Sequence, residues 1–186
     1  MARNTDPDEK LIRTYLVTGE TRLLGILIGK YGETVYRFCA RFLGDPDDAA
    51  DCSQEVFIRV FVGIGGFRFR SKFSTWLYRI MLNVCRETAR YRTSRGKATP
   101  YQEMPAWSVE NPEEVLERKE INEVFQKALG RLKSKHRNIL IMRDVEGMSY
   151  QEISDITGLR PGTVRSALAR ARHRVAVDLK DYRYEK

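Results

Sequence analysis

The sequence predicts an all-α protein built as two small helical domains joined by a flexible linker. Three observations carry that prediction. Apolar residues recur at helical spacing through most of the chain, no strand-like alternation persists, and one stretch of about twenty residues holds three prolines and no helical stripe. The 186 residues suffice for one ordinary domain or two small ones, and 42% apolar residues suffice for packed cores.

The elements follow in order. Residues 21–44 place Leu23, Leu24, Leu27, Ile28, Tyr31, Val35, Phe38, Phe42 and Leu43 on one helical face. Gly44 and Asp45 close that helix, and Asp45 with Pro46 supplies an N-cap and a first position for the next. That helix, about 46–62, is expected to bury Val56, Phe57, Val60 and Phe61. GIGGFRFRSKF then breaks the period with Gly63, Gly65 and Gly66 and reads as a loop. A helix over about 74–92 starts at Ser74 or Thr75 and carries Trp76, Leu77, Ile80, Met81 and Val84, with Trp76 reading as core. Residues 93–113 contain Pro100, Pro105 and Pro112 and form the tether. Helix resumes over about 113–129 and 135–145, until Gly147 interrupts. The domains therefore fall at 1–95 and 114–186, with 96–113 between them.

Residues 149–175, SYQEISDITGLRPGTVRSALARARHRV, are the most specific local signal. Ser149 and Glu152 form a capping-box pair, Ile153 and Ile156 give a short apolar face, and Gly158 suits a left-handed helix end. Leu159 anchors the turn, and small Ser154 lets the two helices cross closely. Pro161 opens a second helix whose face is Val164, Leu168, Ala171 and Val175. Because that helix is loaded with Arg165, Arg170, Arg172 and Arg174, the segment reads as a helix-turn-helix. Arg165 and Ser166, with Arg160 beside them, are best placed for base edges. An arginine bidentate to guanine gives about 1–3 kcal/mol of discrimination. Arg170, Arg172 and Arg174 lie further along and are placed for phosphates.

Charge is segregated along the chain, which carries +8 overall. Asp45, Asp47, Asp48, Asp51 and Glu55 cluster with no basic neighbour, whereas residues 67–97 carry nine basic residues against Glu87 alone. Residues 100–124 are acidic and residues 131–175 basic again. Two basic blocks separated by an acidic one suggest two polyanion-facing modules. In the first block Phe67, Phe69 and Phe73 interleave with Arg68, Arg70 and Lys72, the composition of a single-strand binder.

Other classes drop out. No apolar run spans a bilayer, and MARNTDPDEK lacks the features of a secretion signal, so the chain reads as cytosolic, without membrane insertion. Cys39, Cys52 and Cys85 are odd in number and widely spaced, which suits neither a disulfide framework nor zinc; they read as reduced thiols on buried faces. His136 and His173 have no partner pattern for catalysis, and no GxxxxGK[ST] loop occurs. No metal, cofactor or enzymatic activity is expected.

DPDDAADCSQEVFIRVF, FSTWLYRIMLNVCRETARYR and MSYQEISDITGLRPGTVRSALARAR resemble, in order and spacing, the successive motifs of extracytoplasmic-function (ECF) sigma factors of the sigma-70 superfamily. The resemblance covers about residues 8–178. It implies that Asp48, Asp51, Gln54, Glu55, Phe57 and Ile58 of region 2 meet the clamp helices of the polymerase β′ subunit. It also implies that Phe67, Phe69, Arg70, Lys72, Tyr78, Arg79, Ile80, Asn83 and Arg86 open and read the minus-ten element, with Asn83 offering donor and acceptor together. Region 4 would read the minus-thirty-five element through Arg160, Thr163, Arg165, Ser166, Arg170, Arg172 and Arg174, and touch the β flap. The linker would run toward the RNA exit channel, and an anti-sigma factor is an expected partner. Ala167 departs from the family, which often carries a basic residue there, and so places one DNA contact in doubt. Two other readings stay open: a stand-alone helix-turn-helix regulator, and a helical adaptor for acidic proteins. The regulator leaves the acidic helix and aromatic loop unexplained.

Overall fold

The computed structural model describes residues 6–94, 124–125 and 127–184. They form two helical bodies, and among them no strand occurs. In the N-terminal body α1 spans Pro7–Thr18, α2 Thr21–Leu43, α3 Pro46–Gly63 and α4 Phe73–Ser94, with a short 3₁₀ turn at Ile64–Gly66. In the C-terminal body residues 127–131 are helical; α5 spans Ser134–Leu140, a π turn Ile141–Val145, α6 Tyr150–Thr157 and α7 Pro161–Tyr184.

The helix boundaries have local causes. The Asp45 carboxylate accepts the N–H groups of Asp47 and Asp48, both at 3.0 Å, and Pro46 occupies the first position of α3. The same device opens α1, where Asp6 accepts the Asp8 N–H ahead of Pro7. The DPDE that opens α1 repeats the DPDD signal of α3. The start expected at Ser74 or Thr75 is corrected to Phe73, because the aromatic ring buries against the core and draws the first turn inward. The helix expected over 135–145 widens from its regular course: it gives way at Ile141 to a π turn, in which the Glu146 N–H reaches back to the Ile141 carbonyl at 3.0 Å. The tether and most of the 113–129 helix lie outside the described residues.

Helices α2, α3 and α4 pack against one another around an aromatic and aliphatic core, and α1 closes one side of α2. Phe38, Leu77, Met81 and Leu82 are fully buried there, each contributing about 1.5–3 kcal/mol by removal of apolar surface from water. α1 is docked by a buried carboxylate: Asp8 accepts the Lys30 ammonium at 2.5 Å and the Tyr31 hydroxyl. Burial and that carboxylate push the Tyr31 phenol well up, so it stays a donor. The C-terminal core is aliphatic, with Leu129, Ile139, Ile141, Met142, Ile153, Val164 and Leu168.

Three expectations for buried residues are corrected. Phe61 is 56% exposed and Ile28 43% exposed, and Phe57 is only half-buried, because these positions line an open apolar groove between α2 and α3 beside Phe73.

Candidate nucleic-acid interface

The helix-turn-helix is closed by its predicted bonds. Ser149 Oγ accepts the Glu152 N–H at 3.1 Å, while the Glu152 carboxylate accepts the Ser149 N–H at 2.9 Å and its hydroxyl at 2.8 Å. These donors hold the Glu152 carboxyl below the usual carboxylate range. Gly158 sits at φ +71°, a conformation that would strain any side chain, and its N–H reaches the Ser154 carbonyl at 2.9 Å. Ser154 is half-buried and does more than keep the crossing small: its hydroxyl donates to the Leu159 carbonyl at 2.5 Å, tying the end of the turn to α6.

Along α7 the buried face is Val164, Ala167, Leu168, Ala171 and Val175. Arg160, Arg165, Ser166, Arg170, Arg172 and Arg174 are exposed, and Thr163 is half-buried. Arg165 leans over the Tyr150 ring at 5.8 Å, and Arg170 donates to the Ser166 carbonyl and hydroxyl at 3.2 and 3.3 Å. Arg172 grips Asp144 through two bonds of 2.9 and 2.5 Å, so it is anchored to the C-terminal body itself. Ala167, where the family often carries a basic residue, is 1% exposed and faces the core.

The first basic block divides into buried and exposed parts. Phe67 is corrected from an exposed stacking ring to a core one: it is 7% exposed and lies 4.8 Å from Phe69, 6.2 Å from Phe73 and 5.3 Å from Trp76. The loop folds back onto the start of α4, and Gly63 permits this, since a Cβ there would stand 3.3 Å from the Trp76 ring. Trp76 is half-buried and packs against the core through Phe67 and Phe73. Phe69 is half-buried at φ +55°, with the Arg13 guanidinium 3.9 Å above its ring. Arg70, Lys72 and Asn83 are exposed, while Arg79, Ile80 and Arg86 are half-buried.

Part of this strip faces the other body. Tyr78 is 5% exposed and its hydroxyl donates to Glu146 at 2.7 Å; burial and that carboxylate push its phenol well up. Arg41 also reaches Glu146, at 3.2 Å. Arg79 donates to the Asp155 carbonyl at 2.8 Å, and Lys72 stands 4.0 Å from Glu152. Acidic and carbonyl groups of the C-terminal body therefore cover basic and aromatic groups of α4 and the preceding loop.

On α3, Asp51, Gln54 and Ile58 are exposed. Asp48 instead pairs with Arg92, which also reaches Asp45 at 3.6 Å. Burial nonetheless pushes the Asp48 carboxyl up, against the pull of Arg92. Glu55 holds Arg59 at 2.7 Å, and Arg59 also reaches Glu87 at 2.7 Å. Sequence reasoning missed the apolar continuation of this surface, Phe61 and Val62, the latter 78% exposed, beside an apolar groove lined by Leu24, Leu27, Ile28, Tyr31 and Phe57. The unusual placement of apolar residues on both sides of α3 was the available signal.

The three cysteines, far apart in sequence, come together: all three sulfur atoms lie within 4.8 Å of one another. The metal-free reading rested on sequence spacing, which says nothing about convergence of three helices.

An all-helical chain with a complete, arginine-bearing helix-turn-helix defines a DNA-binding class. Comparison with known proteins narrows it. Family models described as sigma-70 region 2 and sigma-70 region 4 match residues 27–96 and 122–175. The chain is 30% identical to the RNA polymerase sigma-H factor of Pseudomonas aeruginosa over 182 residues, covering 91% of this chain and 92% of that one. It is 29% identical to the ECF RNA polymerase sigma factor SigW of Bacillus subtilis, covering 88% and 92%. Its fold is similar to that of the sigma factor RpoE in complex with the anti-sigma factor NepR from Bartonella quintana, with a TM-score of 0.67, 21% identity and coverage of 84% and 96%. The chain belongs to the ECF group of the sigma-70 family of RNA polymerase sigma factors.

Proposed function

We propose that this chain directs core RNA polymerase to specific promoters, with residues 1–95 and 114–186 acting as its two working modules and 96–113 as their tether. The observation that supports this best is the succession of region 2 and region 4 on one chain, with the helix-turn-helix closed by its capping box and Gly158. Asp51, Gln54, Glu55, Phe57 and Ile58 meet the β′ clamp helices, with Asp48 helping to shape that surface through Arg92. An acidic helix repels DNA but complements a basic protein surface.

Phe69, Arg70, Lys72, Tyr78, Arg79, Ile80, Asn83 and Arg86 engage the opened minus-ten element, with Phe67 supporting them from the core. Arg160, Thr163, Arg165 and Ser166 read the minus-thirty-five element, while Arg170, Arg172 and Arg174 set phosphate affinity and salt dependence. Region 4 also touches the β flap. Because Lys72, Tyr78 and Arg79 meet the C-terminal body, the two bodies separate before the minus-ten surface works. An anti-sigma partner holds the inactive state, and the chain works in the cytoplasm. Polymerase supplies the chemistry; this subunit contributes binding energy. Among the described residues no helix is long and apolar enough to cross a membrane.

Run-off transcription with core enzyme on genomic DNA, followed by start-site mapping, tests the reading. Arg165→Ala is expected to relax one upstream position by about 1–3 kcal/mol. Asn83→Ala is expected to impair use of the downstream element instead. Tight duplex binding by the isolated chain, with no polymerase-dependent transcripts, would replace this reading with that of a stand-alone regulator.

A further inference from the structure

The three thiols form a built cluster at the centre of the N-terminal body. Cys39 comes from α2, Cys52 from α3 and Cys85 from α4, and their exposures are 0, 2 and 0%. All are free thiols. The sulfurs of Cys52 and Cys85 are 3.5 Å apart, those of Cys85 and Cys39 3.7 Å, and the third edge of the triangle is no longer than 4.8 Å.

Three sulfurs bound at about 2.3 Å to one centre lie about 4.0 Å apart if planar and about 3.8 Å apart at tetrahedral angles. Two edges of the cluster are already slightly inside those values, so an ion at the centre demands only small side-chain movements. Among the described residues no histidine or carboxylate joins the group. The neighbouring Ser53 hydroxyl is committed to the Ala49 carbonyl at 2.6 Å. The site therefore offers three soft ligands and no fourth, which disfavours tetrahedral zinc.

Charge balance selects further. Three thiolates carry three negative charges in a site closed to water. A monovalent ion leaves two of them uncompensated and a divalent ion leaves one, and uncompensated buried charge is costly. A trivalent centre leaves none. Arg59, the basic group closest in effect to Cys52, is engaged by Glu55 and Glu87.

We infer that Cys39, Cys52 and Cys85 form a binding site for a trivalent, three-coordinate thiophilic metalloid of the arsenite class. The exchange balances without a redox partner. Arsenic(III) hydroxide loses three As–O bonds and gains three As–S bonds. Each thiol proton leaves with a displaced hydroxide, so three waters are released and arsenic stays trivalent. Loading requires local opening of the body, since no sulfur is at the surface. Once loaded, the ion cross-links α2, α3 and α4. This inference is independent of the promoter reading.

The test uses the full-length reduced chain under anaerobic conditions, with arsenite, copper(I) and zinc(II) as separate probes. Native mass spectrometry should find one arsenic gained with three protons lost, and X-ray absorption at arsenic should find three sulfur neighbours. The melting temperature should rise, since the ligand binds the folded state. Cys39→Ala should weaken arsenite by about a hundredfold, because one arm of a chelate is lost. Should that variant fail to fold, the absorption spectrum of the unaltered chain still decides. Fewer than three sulfur neighbours, a lowered melting temperature on loading, or tighter retention of zinc(II) or copper(I) than of arsenic would overturn the assignment.

Discussion

The two bodies solve the same packing problem with different means. The N-terminal body uses long helices over an aromatic core and pairs several charges within itself, Asp8 with Lys30, Asp48 with Arg92, and Arg59 with Glu55 and Glu87, while Arg41, Lys72 and Arg79 reach the other body. The C-terminal body is aliphatic, built on short helices, and projects one long basic helix, of whose arginines Arg172 is tied back to Asp144. The difference teaches how each meets a partner. A platform of several packed helices presents surfaces made by more than one element, whereas a helix-turn-helix needs only one helix held at a fixed angle.

The largest expected effect tests whether the bodies are energetically separate. Phe38 is fully buried and edge-on to Tyr78 at 5.5 Å. Phe38→Ala should cost about 3–5 kcal/mol. Hydrogen exchange should then accelerate across α1–α4 while α6 and α7 keep their protection; equal acceleration in both would break the comparison.

Glu146 joins the bodies by accepting from both Tyr78 and Arg41. Glu146→Ala should cost about 1.5–3 kcal/mol, the worth of a hydrogen bond to a charged group, and should lower energy transfer between dyes placed on the two bodies. Unchanged transfer would mean that other contacts hold them.

Within the C-terminal body, Ser149→Ala should lower stability by about 1 kcal/mol through loss of the α6 cap, read as a shift in the urea midpoint without a change in slope.

The smallest effect compares two carboxylates across the bodies. Glu152 titrates below its ordinary value, so its stabilisation is present above the unfolded value and is lost as pH falls through the folded one. Asp48 titrates above its ordinary value, so its contribution is present at low pH and is lost as pH rises through the folded value. Melting curves between about pH 3 and 6 should flatten in opposite directions for Glu152→Gln and Asp48→Asn. Parallel changes would show that burial does not separate the two groups.

The helix-turn-helix was legible because its determinants are local: a capping box spans three residues, and a left-handed glycine sits where a helix ends. The burial of Val164, Leu168, Ala171 and Val175 follows from spacing alone. The aromatic loop was less legible. Interleaved Phe and Arg at 67–72 suggested exposed rings, yet Phe67 turned inward, because Trp76 and Phe73 supply apolar surface that only the folded loop brings near. Phe61 was misread for the converse reason: a helical stripe wider than one neighbouring helix can cover leaves its edge in water.

Sequence alone determined the helical class, the caps and the helix-turn-helix, since each depends on residues within a few positions of one another. Tertiary structure decided which rings are core, which acids are neutralised, how Glu146 bridges the bodies, and that Cys39, Cys52 and Cys85 meet. Those outcomes depend on the angles at which α2, α3 and α4 cross, and crossing angles are set by side-chain packing between segments distant in the chain.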